Sequence, residues 1–134
     1  PVMLLRIDPR SPTPVYEQLV FQVKRAVAEG LLAPGAKLDS VRELAKTLAI
    51  NPNTVVRALE VLEKDGVILR RQGAGCFVSD APSELAARER KRRLEELMTH
   101  TVTEAYHLGF GPDEVRSALE QGLSALEKRP RSPR

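Results

Sequence analysis

The chain has few of the residues that build catalytic or disulfide-stapled sites: one cysteine, Cys76, two histidines and no tryptophan in 134 residues. A single cysteine cannot close an internal disulfide, which points to a reducing, cytoplasmic setting. No apolar segment reaches the ~18 residues that suggest a membrane span, and no basic stretch leads into an apolar run at the start, so neither a span nor a secretory leader is expected. No nucleophile–base pair, phosphate-cradling glycine loop or CxxC set is visible. With room for one ordinary domain or two small ones, the chain is not expected to be an enzyme or to hold a cofactor. An excess of one charge is also lacking. The 21 basic and 18 acidic residues leave a net +3, so any nucleic-acid role must rest on local basic patches. Aromatics make up 4%, which leaves the core to Leu, Val, Ala and Ile.

What is present is periodic. Apolar residues at 42% and charged residues at 29% predict a globular, mainly helical chain. After the turn-rich IDPRSPTP, Thr13-Pro14 reads as an N-cap followed by proline at the first helical position. Tyr16, Leu19, Val20, Val23 and Val27 then give one apolar face, and Gly30 suits a left-handed stop just past Glu29. Pro34-Gly35 marks a turn, and Lys37-Leu38 suits a short strand. In SVRELAKTLAI, Ser40 and Glu43 have the spacing of a capping box, and Val41, Leu44, Ala45 and Leu48 form the apolar stripe of a short second helix.

The stretch INPNTVVRALEVLEKDG begins a third helix. Asn51 caps it, Pro52 fills the first turn without wasting a donor, and Gly66 ends it. At 100° per residue, Val55, Ala58, Leu59 and Leu62 share one side while Asn53, Arg57, Glu60 and Lys64 share the other. Two short helices this close in sequence form a helix-turn-helix pattern. VILRRQGAGCFVSD follows as two apolar runs around a turn at Gln72 to Gly75, which reads as a β-hairpin wing.

These residue types suit duplex DNA. Asn53 can pair bidentately with adenine, Arg57 with guanine, and Thr54 with a base or a phosphate, while a helix N-terminus attracts phosphate. Val56, at the edge of the exposed face, can meet a thymine methyl. Arg70 and Arg71 supply charge with no acid before Asp80, and Gly73 and Gly75 let the wing backbone approach closely. Arg42 reads as a phosphate contact, with solvated pairing to Glu43 or Glu17 as the alternative; Lys46 is a candidate of the same kind, and Asn51 is at least a cap. Glu60 would repel phosphate and is left out.

PVYEQL, GLLAPGAKLDSVRELAKTLAINPNTVVRALEVLEKDGVI and GAGCFV, collinear from Pro14 to Val78, resemble the winged-helix DNA-binding domain of GntR-type bacterial transcription regulators. NPNTV and a C-terminal part of about 54 residues are similar to the YtrA subfamily. The resemblance implies a homodimeric repressor of operons, often transporter operons. It implies that Arg42 touches phosphate, that Asn51 to Arg57 reads the major groove, and that Gly73 to Gly75 reaches the minor groove. Asp39 stands where the family commonly has proline, Pro52 and Val56 where many members have arginine, and Cys76 where threonine or serine is usual.

Beyond SDAPSE, Ser83 suits an N-cap for a long helix with Leu85, Leu94, Leu97, Met98, Val102, Ala105 and Leu108 along one stripe. GFGPDE breaks it, and Val115, Ala118, Leu119, Gly122, Leu123 and Leu126 mark a further amphipathic helix from Pro112. Two such helices expose too much apolar surface alone, so pairing with a second copy is expected, docking on the chain's own winged domain being the alternative. RERKRR is surrounded by Glu84, Glu89, Glu95 and Glu96 and reads as a solvated face rather than a DNA contact. His100, Glu104 and His107 share a face, but the histidines stand about 10 Å apart along the helix, so no metal site is expected. Cys76 reads as a structural strand residue rather than a redox switch. KRPRSPR is expected to be disordered.

The sequence thus predicts a mainly α chain. Residues 1–80 form a winged helix-turn-helix domain that binds a double-stranded DNA operator, and residues 81–134 form a helical hairpin for dimerisation. A small-molecule effector would have to bind between subunits or be absent. The rival reading is a winged module for protein–protein assembly without sequence-specific DNA binding.

Overall fold

The computed structural model describes residues 5–80 and 87–127, which fall into two compact units at that division. The first unit holds α1 (Val15–Ala28), α2 (Val41–Leu48), α3 (Pro52–Lys64), β1 (Ile68–Arg71) and β2 (Gly75–Val78). The second holds α4 (Ala87–His107) and α5 (Pro112–Glu127).

Helix α3 is the centre of the first unit, because α1, α2 and β1 all pack on it. Its stripe is buried as the 3.6-residue period predicts: Val55, Ala58 and Leu62 have no exposed surface and Leu59 almost none. Leu19 and Val23 of α1, Leu44 and Ala45 of α2, and Ile68 and Val78 of the hairpin close over it, with Leu32 and Leu38 from the connection. Each fully buried Val or Leu contributes about 1.5–3 kcal/mol. No polar or charged side chain is buried among the described residues. The interior therefore specifies packing and leaves polar chemistry to the surface.

Helix α1 begins differently from expectation. Pro14, not Thr13, occupies the N-cap, at φ −52° and ψ 145°, with no side-chain cap. The ring permits that extended conformation, and the Pro14 carbonyl accepts the Gln18 N–H at 3.1 Å. Thr13 instead uses its carbonyl to accept from Gln18 Nε2 at 2.9 Å. Gln18 and Gln22, one turn apart on α1, hold the segment before the helix by amide pairing. Gln18 Oε1 accepts the Asp8 N–H at 2.9 Å while its Nε2 donates to the Asp8 carbonyl at 3.0 Å. Gln22 repeats this pairing with Arg6. The side chains thus act as a neighbouring strand, because residues two apart in an extended chain and four apart in a helix are separated by similar distances. At the other end Gly30 has φ 79°, as the stop required.

Between α1 and the wing, Lys37 makes an isolated bridge with Phe77 instead of a strand. Gly35 N–H donates to Val78 O at 2.9 Å, Val78 N–H to Ala36 O at 2.8 Å and Leu38 N–H to Cys76 O at 2.9 Å, so β2 is bonded on both edges. Lys24 and Asp65, the residue that ends α3, form an ion pair at 2.7 Å that joins α1 to that end.

In the second unit a tight turn with Gly109 at φ 90° leads into α5, whose start is marked by Gly111 N–H donating to Glu114 Oε1 at 3.2 Å. The two helices cover little of each other's apolar surface. Helix α5 has no buried residue, and Leu97 and Val102 of α4 are 63% and 52% exposed. On α4 the charges pair with one another: Arg92 with Glu89 at 2.7 Å and with Glu96, and Arg93 with Glu89 at 3.3 Å. These guanidiniums hold the Glu89 carboxyl down at about 2. Ser83 and Leu85, and the tail from residue 128, lie outside the described residues.

The start of α2 yields a prediction. Glu43 N–H donates to Ser40 Oγ and Ser40 N–H to Glu43 Oε1, both at 3.1 Å, so the capping box is complete. The backbone bond from Ser40, followed by its hydroxyl, holds the Glu43 carboxyl below the usual glutamate range. A carboxylate depressed on folding stabilises the fold fully above its unfolded value, and that contribution is lost as pH falls through the folded value. Ser40→Ala is therefore expected to move the Glu43 titration midpoint, read from its carboxyl carbon resonance, back up toward the ordinary range. An unmoved midpoint would remove the Ser40 hydroxyl as a cause and leave the backbone bond alone to hold the carboxyl down.

Candidate nucleic-acid interface

The polar start of α3 is built from its own first residues. Asn51 lies in extended backbone at φ −63° and ψ 131°, and its Oδ1 accepts the Asn53 N–H at 2.8 Å. The cap commits that oxygen and leaves the Asn51 amide donors for other partners. The chain enters α3 through a residue with no sequence mark of its role: Ala49 adopts φ 55°, and Ile50 N–H donates to the Ala45 carbonyl at 3.0 Å. Alanine pays a small steric penalty there, which the tight hydrogen bonding offsets. This short turn brings α2 and α3 together as a helix-turn-helix.

On the outward side of α3, Asn53 and Arg57 are exposed and Thr54 and Val56 half-buried. Arg42 and Lys46 are exposed on α2. The wing pairs Ile68 with Val78, Leu69 with Phe77, Arg70 with Cys76 and Arg71 with Gly75. The turn spans Gln72 to Ala74, so Gly75 belongs to β2 instead of the expected turn. Because side chains alternate along a strand, Arg70 shares a side with the buried Ile68, and Arg71 takes the other. Arg71 lies over Phe77 with its Cζ 5.0 Å from the ring centroid. The two arginines leave β1 in opposite directions, yet both line one groove.

A groove of about 540 Å³ runs between the wing, the start of α2 and the Val56 side of α3. It brings Arg70, Arg71, Gly73 and Gly75 together with Val56, and Lys37 lines it too. Lys37 is the cation that the sequence reading missed. Its position one residue before the buried Leu38 is the available signal, since alternation places it outward. Lys37, Arg42, Lys46, Arg57, Arg70 and Arg71 make no ion pair among the described residues. By contrast, Lys24, Arg25, Arg92, Arg93 and Arg116 all do. Six cations without an ion pair thus stand on α2, on α3 and on or beside the wing, while others lie elsewhere, such as Arg88, Arg90 and Lys91 on α4. Positive charge without local neutralisation is what a polyanion requires.

The model for the bacterial regulatory proteins of the gntR family matches residues 15–78. The HTH-type transcriptional repressor YtrA of Bacillus subtilis (strain 168) is 37% identical over 118 residues, covering 88% of this chain and 91% of its own length. The chain belongs to the GntR family. It is a DNA-binding transcription regulator. Among solved structures, a transcriptional antiterminator from Listeria monocytogenes EGD-e superposes on this GntR-family chain with a TM-score of 0.83 at 26% identity, covering 98% of each. YtrA from Sulfolobus acidocaldarius, a GntR-family transcription factor, gives 0.62 at 31% identity, over 75% of this chain and 99% of its own. The winged helix-turn-helix fold read from the sequence is the fold of these relatives.

The residues expected at a dimer interface lie on α4 and α5 and the turn between them. Leu94, Leu97, Val102, Leu108, Leu119 and Leu123 are exposed, and Met98, Ala105 and Val115 half-buried. Met98, Ala105, Val115 and Leu119 line one open groove between the helices, which also takes in Phe110, a residue the sequence reading did not single out. His100, Glu104 and His107 are exposed on α4, and no group of three or more metal-ligating side chains is gathered among the described residues. No helix of the described residues is long and apolar enough to cross a membrane.

The close approach of Lys37 to the wing can be tested by stability. Gly75 has φ 112°, and a Cβ there would stand 3.2 Å from Lys37 Cε; at Gly73, φ is 75° with nothing within 4 Å. Gly75→Ala is expected to cost about 1–3 kcal/mol in denaturant unfolding. Gly73→Ala should cost less, having only its backbone to strain. Equal losses in Gly75→Ala and in Gly75→Ala with Lys37→Ala would show that the backbone at φ 112°, not Lys37, sets the cost.

Proposed function

We propose that this regulator is a homodimeric repressor of the cytoplasm that occupies a pseudo-palindromic operator in duplex DNA. The observation that carries the reading is the outward face of α3, whose base-reading side chains stand between unpaired cations of α2 and the wing. Asn53, Thr54 and Arg57 read base edges in the major groove, while Arg42, Lys46 and Lys37 neutralise phosphates. Asn51 adds its amide donors at the cap, and Arg70 and Arg71 contact the backbone or the minor groove beside Gly73 and Gly75. The name of the Bacillus subtilis relative, a transcriptional repressor, supports repression.

Dimerisation is supported by the second unit. Its two helices leave Leu94, Leu97, Val102, Leu108, Leu119 and Leu123 exposed, a surface that water penalises and a second copy covers. A two-fold dimer presents two recognition helices to two half-sites, which matches the symmetry of a pseudo-palindrome.

Selection of the full chain on a random duplex pool at physiological salt is expected to return a two-fold-related motif. Salt-sensitive retention without a motif would favour an assembly role instead. On the recovered site, Arg57→Ala should cost about 1–3 kcal/mol and relax one base position per half-site. Arg42→Ala should weaken all sequences alike and reduce the salt slope by about one. Wild-type selectivity in Arg57→Ala would displace the recognition helix from this role. Removing residues 81–134 should leave a monomer in sedimentation; a truncated chain that still pairs would place the interface on the winged domain.

A further inference from the structure

The aromatic ring nearest the proposed base-reading surface belongs to a residue whose sequence pattern marks it only as core. Tyr16, at the second position of α1, is half-buried at the edge of the core. Its ring lies against Arg57 of α3, with the guanidinium carbon 3.8 Å from the ring centroid. That is well inside the ~6 Å reach of a cation–π contact. The Tyr16 hydroxyl points elsewhere and donates to Glu17 Oε1 at 3.1 Å. Arg57 itself makes no hydrogen bond or ion pair among the described residues. The ring face therefore restrains the guanidinium without consuming any of its five N–H donors, and the acid next to Tyr16 is engaged by the phenol.

An unrestrained arginine on a helix surface samples many rotamers and pairs readily with nearby carboxylates. Bidentate recognition of guanine O6 and N7 needs the planar fork held in one orientation, with its donors unpaired. We propose that Tyr16 is the positioning residue for Arg57: its ring face fixes the guanidinium for a guanine in duplex DNA and so sets selectivity at that base pair. This rests on the reading of Arg57 as a base contact. Lysine at position 57 would keep the charge and lose both the fork and its planar contact with the ring.

The test uses the full chain, the duplex recovered from the random pool and a duplex altered at the Arg57 base pair. Tyr16→Phe keeps the ring, Tyr16→Leu keeps apolar bulk without it, and each is also placed in an Arg57→Ala background. A ring-current upfield shift of the Arg57 Hε resonance, read without DNA, reports the contact directly. Tyr16→Phe is expected to retain both the shift and the wild-type preference. Tyr16→Leu should lose the shift and about 2- to 5-fold of affinity for the recovered duplex, the scale of an exposed cation–π contact, with little change on the altered one. With Arg57→Ala already present, Tyr16→Leu should change affinity no further.

A recovered motif bound equally by wild type and Tyr16→Leu would overturn the proposal alone. So would an equal loss from Tyr16→Leu in the Arg57→Ala background, which would make the ring merely structural. Loss of preference in Tyr16→Phe would transfer the role to the hydroxyl and Glu17, and overturn it too. A pool that returns no motif would overturn the base-reading assignment of Arg57, and the proposal with it.

Discussion

Helix α3 can bury only one side, and the rest of the first unit follows from which side that is. Val55, Ala58, Leu59 and Leu62 are placed by helical period on a single stripe, and α1, α2 and the hairpin each lose apolar surface by packing on it. Burying that stripe turns Asn53, Arg57 and Glu60 outward, with Thr54 and Val56 at the margin. A polar replacement on the stripe would therefore disturb more than stability. It would rotate or release the face on which the proposed DNA reading depends, since helix and core share one set of contacts.

Two groups of surface cation differ in their surroundings. Those that pair with acids, such as Lys24 with Asp65 or Arg92 with Glu89, hold elements together or lie on solvated helix faces. Those around α3 have no such partner among the described residues, and two of them lie on aromatic rings: Arg57 on Tyr16 and Arg71 on Phe77. A ring steadies a guanidinium without neutralising it, as a carboxylate would. In a chain with only two tyrosines and three phenylalanines, the placing of two of these rings against arginines of one surface gives that surface orientation as well as charge.

The second unit poses the opposite physical problem. Glu89, Arg92, Arg93 and Glu96 pair along α4, whereas the apolar residues of the unit have little to pack against. Among the described residues, α4 and α5 leave much of their apolar surface exposed, and a helix gains most of its stability from burying such a face. A surface of that kind is stable once something apolar covers it, and in the proposed dimer a second copy would supply a matching one.

Much of this is legible in the sequence, because local physics fixes it. The helix period gave the α3 stripe, the Ser40–Glu43 spacing gave the capping box, and Asn51-Pro52 gave the start of α3. These signals involve residues within about one turn of each other, where backbone hydrogen bonding and side-chain direction depend on little else. Where local options were nearly equal the reading missed: Pro14 took the cap from Thr13, and Ala49 bent left-handed without glycine or asparagine to mark it. Only the tertiary structure decided which distant residues meet. It set Lys37 beside the wing, divided Arg70 from Arg71 and laid Arg57 on Tyr16, 41 residues away in sequence. No local pattern encodes such pairings, because they depend on how helices and strand cross once the shared core has closed.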